Sequence, residues 1–244
     1  MFLKIGETTV NYKRYGNQDG NTIVYLHGWG QNIEMMQPVA DPFQSDFDLI
    51  ILDLPGFGLS EEPNRIWSVV DYADFVHQLL IKLNVSKPIV VGHSFGGKVA
   101  LVYATKYACD KLILFAPTFR TEIKKVSTKT KLLKAMKTIP VLKNFEELAK
   151  KHMGSTDYRN ASPRMRDILV LHVNTDISES LKRIECPTLL IWGDVDNQVS
   201  IEAAKQLESL IKDAGLVIYE NATHYAYLER IGQTINVMRS FLGR

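Results

Sequence analysis

The chain has 244 residues, 45% of them hydrophobic, a length that suits one α/β domain with an insertion better than two equal domains. Its 29 Lys and Arg stand against 27 Asp and Glu, and a net charge of +2 gives no reason to expect a nucleic-acid partner. No apolar run reaches the length of a membrane span. Charges occupy the N-terminus where a signal peptide needs an apolar core. Cys109 and Cys186 have no C-x-x-C spacing and read as buried free thiols in a reducing compartment, so the expected location is the cytoplasm.

In chain order, Phe2–Ile5 and Thr9–Tyr15 read as a first pair of strands, followed by a turn cluster at 17–21. Thr22–Leu26 is a β-rich run suited to a buried central strand. Leu49–Leu52 is another, and it ends in the loop Asp53-Leu54-Pro55-Gly56-Phe57-Gly58. From Ser68 to Leu83 the apolar residues fall at helical spacing, with Ser68 as N-cap and Asp71 in the first turn. Ile89–Val91 and Lys111–Phe115 are strands flanking a helix-like segment that starts near Gly97. Thr188–Trp192 and Leu216–Tyr219 are further strands, and Ile231–Leu242 is a closing helix. Strands alternating with helices predict a mostly parallel sheet covered on both faces. Residues 117–182 break this rhythm: helical patterns, no convincing strand, and interruptions at Pro140, Gly154 and Pro163. The expected organisation is a core of residues 1–116 and 183–244 with a helical cap at 117–182 over the carboxyl edge of the sheet, where open α/β sheets carry their sites.

The most informative stretch is Gly92-His93-Ser94-Phe95-Gly96. A Ser between a strand and a helix in G-x-S-x-G sits on a sharp, strained turn, and the residues two before and two after it must be small. A hydroxyl becomes a nucleophile when a neighbouring His takes its proton, and a carboxylate holds that His. After Ser94 the chain offers His152, His172 and His224. The first two fall in the insertion, whereas His224 follows the last strand, in a carboxyl-end loop. The acid should follow Thr188–Trp192, where Asp194 and Asp196 are both available. Asp194 also fits a turn-capping role. An oxyanion needs two converging backbone N–H groups. Phe95, at the helix start, supplies one. The loop His27-Gly28-Trp29-Gly30 supplies the other through Trp29, whose indole would wall the acyl pocket. His27 and His93 read as structural, holding loops together.

His27-Gly28-Trp29-Gly30, Asp53-Leu54-Pro55-Gly56-Phe57-Gly58-Leu59-Ser60, Gly92-His93-Ser94-Phe95-Gly96-Gly97, Gly193-Asp194-Val195-Asp196 and Thr223-His224 together resemble the α/β-hydrolase superfamily. The resemblance runs over nearly the whole chain except 117–182. It implies the α/β-hydrolase fold: eight strands, the second antiparallel, and a helical cap between strands six and seven. Its Gly-x-x-Asp pattern selects Asp196 as the acid. Dehalogenases and typical epoxide hydrolases of this fold use an Asp nucleophile, and Ser94 argues against both. The first two runs also resemble the pimeloyl carrier-protein methyl esterases. Ser200 departs from the Pro found there in many relatives, and little consequence is expected.

The expected activity is therefore a serine carboxyl-ester hydrolase acting through an acyl-enzyme, with Ser94, Asp196 and His224 as triad and Trp29 and Phe95 as oxyanion donors. C–C hydrolases, thioesterases and lactonases use the same triad, and a non-catalytic small-molecule receptor is the remote alternative. Neither metal nor cofactor is required, and no H-E-x-x-H or Cys/His cluster is present. Between Pro117 and Lys151 ten Lys or Arg face three Glu, a surplus of seven positive charges. The plain reading is a solvated helix face. The sharper one is attraction of a small anionic or carrier-linked ester substrate.

Overall fold

In the computed structural model, residues 1–121, 158–159 and 161–244 are described. The eight strands are β1 (Phe2–Ile5), β2 (Thr8–Gly16), β3 (Thr22–Leu26), β4 (Asp48–Leu52), β5 (Ile89–His93), β6 (Lys111–Phe115), β7 (Thr188–Gly193) and β8 (Ala214–Tyr219). They form one sheet in the order β1-β2-β4-β3-β5-β6-β7-β8. β2 runs antiparallel to both neighbours, and the pairs from β4 onward are parallel. This is the α/β-hydrolase topology that the motifs imply.

Alternation along each strand sorts the core into two layers. In β3, Val24 and Leu26 join one cluster while Ile23 and Tyr25 join the other. The first layer packs under α2 (Val69–Lys82), α3 (Ser94–Lys106) and α5 (Ile201–Leu210). The second packs under α1 (Ile33–Ala40), α6 (Ala226–Glu229) and α7 (Ile231–Leu242). α2 begins at the expected Ser68, which forms a capping box with Asp71. α1, α5 and the short α6 have no helix assigned from the sequence. At α5 the departure from Pro has a use: the Ser200 hydroxyl accepts from the Ala203 N–H at 3.3 Å and caps the helix.

Between β6 and β7 the described residues form α4 (Pro163–Asn174), capped by Ser162, and a 3₁₀ turn at Ser178–Arg183. The rest of the expected cap, including Lys124, Lys125, Lys129 and His152, lies outside the described residues. Among the described residues no helix is long and apolar enough to cross a membrane.

Candidate active site

Parallel register delivers the loops after β3, β5, β7 and β8 to one edge of the sheet. Leu26 stands opposite Gly92, so the loop after β3 meets the turn after β5. Gly193 stands opposite Tyr219, so the loops after β7 and β8 leave side by side.

At the end of β5 the chain reverses into α3 through Ser94, whose φ is +51°. A non-glycine residue in this left-handed region is strained and persists only where its surroundings enforce it. The two flanking glycines explain how the turn closes. A Cβ on Gly92 would lie 2.6 Å from the Gly96 carbonyl oxygen, and one on Gly96 would collide with the carbonyl oxygens of Leu26 and His27. Ser94 is half-buried at the head of α3. Phe95 follows it within the first turn, where a backbone N–H has no partner inside the helix.

His224 and Asp196 meet across the β7 and β8 loops. His224 Nδ1 lies 2.7 Å from Asp196 Oδ2, and the two side chains are 4% and 0% exposed. The other carboxylate oxygen of Asp196 accepts from the N–H groups of Gln198 at 2.7 Å and Val199 at 3.0 Å. These bonds fix the carboxylate before it reaches the His. Asp194 is exposed, and its Oδ1 takes only a 3.4 Å contact from the Ala222 N–H. Nε2 of His224, the far ring nitrogen, is buried and has no hydrogen-bond partner among the described residues. The His224 loop is tied to the elbow by His93, whose Nε2–H donates to the His224 carbonyl at 3.1 Å. The two rings stand 4.9 Å apart. Burial, with the nearby His224 adding to it, holds His93 well below the ordinary His range and keeps it neutral.

His27 organises the opposite wall. Its Nδ1–H donates to the Gly28 carbonyl at 2.7 Å, and its Nε2 accepts from the Leu54 N–H at 2.9 Å. Burial lowers its pKa to about 4. It is a neutral brace between the 27–30 and 53–60 loops. Asp53, whose role the sequence reading left open, is buried there. It accepts from the N–H groups of Ile33 at 2.8 Å and Leu59 at 2.9 Å and from the Asn11 amide at 2.8 Å. The loop so held carries Trp29, whose ring packs edge-on against Phe57 at 4.9 Å and Phe95 at 5.2 Å. Trp29 and Phe57 also border a cleft of about 340 Å³, whose lining includes Glu62 and, at the α4 start, Ser162 and Met165.

Two functional-looking residues escaped the sequence reading. His172, passed over because it falls in the insertion, is buried with its ring parallel to Trp29 at 6.3 Å and edge-on to Phe95 at 4.6 Å. Burial and then the Lys98 charge lower its pKa to about 3. Lys98, four residues after Ser94, is fully buried. Its Nζ donates to the carbonyls of His172 at 2.8 Å and Thr175 at 2.6 Å. It thereby clamps the end of α4 onto the elbow helix. Desolvation lowers its pKa to about 8, with the Asp176 charge opposing. The available signal was a single Lys inside the apolar run Gly97-Lys98-Val99-Ala100-Leu101.

The α/β hydrolase fold family matches residues 21–139. A pimeloyl-[acyl-carrier protein] methyl ester esterase of Aliivibrio salmonicida is 23% identical, covering 92% of this chain and 93% of that protein. The AB hydrolase superfamily protein YisY of Bacillus subtilis is 28% identical, covering 86% of this chain and 87% of that protein. The family match and the curated relatives support the α/β-hydrolase superfamily for this chain. Among solved structures, a bacterial membrane phospholipase A superposes with a TM-score of 0.81 at 23% identity, covering 100% of this chain and 85% of that one. The enol-lactonase of Burkholderia xenovorans LB400 superposes at 0.78 with 18% identity, covering 100% of both chains. Those two likenesses carry the fold. The curated superfamily relatives span nearly the length of this chain and include named esterases.

Proposed function

We propose that the protein is a serine hydrolase of carboxylic esters. The observation that carries this reading is the buried 2.7 Å Asp196–His224 pair, tied through His93 to the strained Ser94 turn. The Asp196 carboxylate accepts a hydrogen bond from Nδ1–H, which keeps the proton on that nitrogen and leaves His224 Nε2 free as a base. Nε2 takes the Ser94 proton as Oγ attacks the ester carbonyl. The oxygen of the tetrahedral intermediate is held by the N–H groups of Phe95 and Trp29. His224 returns the proton to the leaving alcohol, and water then cleaves the acyl-enzyme by the same route. The sequence of steps balances with these side chains and water alone.

The Trp29 and Phe57 walls of the cleft suit an apolar acyl or alcohol group. The likeness to the carrier-protein methyl ester esterase, together with the basic surplus between 117 and 151, supports a small anionic or carrier-linked ester substrate in the cytoplasm. The test compares kcat/KM for an anionic and a neutral ester of equal acyl length at low ionic strength. Charge reversal at Lys124, Lys125 and Lys129 should lower the anionic value alone, and added salt should erase the difference. Equal loss for both substrates, or none for either, would remove the anionic preference from the proposal. Absence of turnover across a panel of p-nitrophenyl and methyl esters would remove ester hydrolysis itself.

A further inference from the structure

The two cysteines lie 77 positions apart in the chain yet come together in the fold. Cys109 precedes β6 and Cys186 precedes β7, and these strands are parallel neighbours with Leu112 opposite Thr188. The Leu112 N–H donates to the Pro187 carbonyl at 2.9 Å, pinning the two leading segments side by side. Asp110 and Cys186 each stand two residues before this pair in the chain, and Cys109 is the neighbour of Asp110. Adjacent strands are about 4.8 Å apart, and a disulfide spans Cα separations of about 4.4–6.8 Å. Both thiols are free and buried in the same core cluster. Each thiol is near enough to the other to perturb its ionisation. The Cys109 S–H also reaches the Lys111 carbonyl at 3.1 Å.

We propose that Cys109 and Cys186 are a redox modification site for hydroperoxides, closing into a reversible intramolecular disulfide that staples β6 to β7. The influence of each thiol on the other divides their roles. It holds the Cys109 thiol above the ordinary thiol range and Cys186 below it. Cys186 is therefore the sulfur that reacts first. Its thiolate attacks the terminal peroxide oxygen, breaking the O–O bond to give a sulfenic acid and an alkoxide (hydroxide from hydrogen peroxide), which takes up the proton that the thiol had released. The Cys109 sulfur then attacks the sulfenic sulfur, and the proton it gives up leaves with the displaced hydroxyl as water. Overall two thiols and one hydroperoxide give one disulfide, one water and one alcohol, or a second water from hydrogen peroxide. A thiol or dithiol reductant reverses the bond.

The position gives the bond a purpose. It lies at the amino ends of the strands, opposite the edge that carries Ser94 and His224. The covalent loop it closes contains the whole 117–182 insertion. Oxidation would close a covalent loop in the unfolded chain that spans β6 and the insertion after it, without touching the site.

The test treats the native protein with hydrogen peroxide a few degrees below its unfolding transition, where both buried sulfurs become reachable. The expected product is a monomer that has lost two hydrogens in mass and both titratable thiols together. Its peptide map should join the Cys109 and Cys186 peptides, and its Tm should rise by roughly 5–10 °C, reversed by dithiothreitol. Cys109→Ser should instead stop at a sulfenic acid on Cys186 that dimedone traps, and Cys186→Ser should consume peroxide more slowly. Thiols that both stay free, oxidise independently to sulfinic or sulfonic acids, or link two chains would overturn the proposal.

Discussion

Replacing Asp196 by Asn tests the proposed catalytic carboxylate against Asp194 in the same loop. Asn keeps the oxygen that accepts from Gln198 and Val199 at 2.7 and 3.0 Å, so the loop should hold its shape. The atom facing His224 Nδ1 across 2.7 Å would become an NH₂ donor. The ring must then offer an unprotonated Nδ1, which moves its proton to Nε2, the atom needed to accept from Ser94. The wrong tautomer costs on the order of 10⁴ in kcat, about 5.5 kcal/mol of barrier. Asp194→Asn is the control. It alters an exposed side chain whose hydrogen bond among the described residues is the 3.4 Å approach of the Ala222 N–H, so turnover should stay near the parent value. Its stability should fall by less than about 1 kcal/mol. The assay is p-nitrophenyl ester hydrolysis with a thermal melt of each variant. Equal turnover in the two variants, or the larger loss at Asp194, would refute the assignment.

Gly96→Ala should be among the most damaging one-methyl changes, because its Cβ meets the backbone carbonyl oxygens of Leu26 and His27. A loss above about 2 kcal/mol is expected in denaturant titrations, and a neutral result would contradict the packing of the elbow. Lys98→Met should change how stability depends on pH. With a folded pKa of about 8 against an ordinary 10.5, Lys98 gives the unfolded state the extra proton between those values, so native stability rises with pH across that window. Relative to the Met variant, the parent should gain about 3 kcal/mol from pH 7 to 10.5. Parallel stability curves would show that the lysine is not desolvated as described.

The core elements were legible because each carries its own local pattern. Ser68 and Asp71 marked a helix start, and Ile231–Leu242 showed a one-sided apolar face. G-x-S-x-G marked a turn that only glycine flanks permit. α1 and α5 were less legible. α1 contains Pro38, which breaks the usual signal, and α5 begins at a Ser where the superfamily pattern suggested Pro. The side chains missed near the site share one physical reason. Lys98 and His172 gain their character from each other through a main-chain carbonyl 74 positions away, and that depends on how α4 docks. The pairing of Cys109 with Cys186 follows from strand order, β6 beside β7, which no spacing rule encodes. Asp196 could be preferred to Asp194 only through the motif, since both sit in the same turn and differ in which way the side chain leaves it.

The most direct measurement is covalent labelling of Ser94 by a fluorophosphonate, paired with ester turnover of Ser94→Ala. The account predicts one labelled site per chain, located at Ser94. The Ala variant should take no label, melt near the parent temperature and lose several orders of magnitude in kcat/KM. Near-normal turnover by folded Ser94→Ala would contradict the central claim.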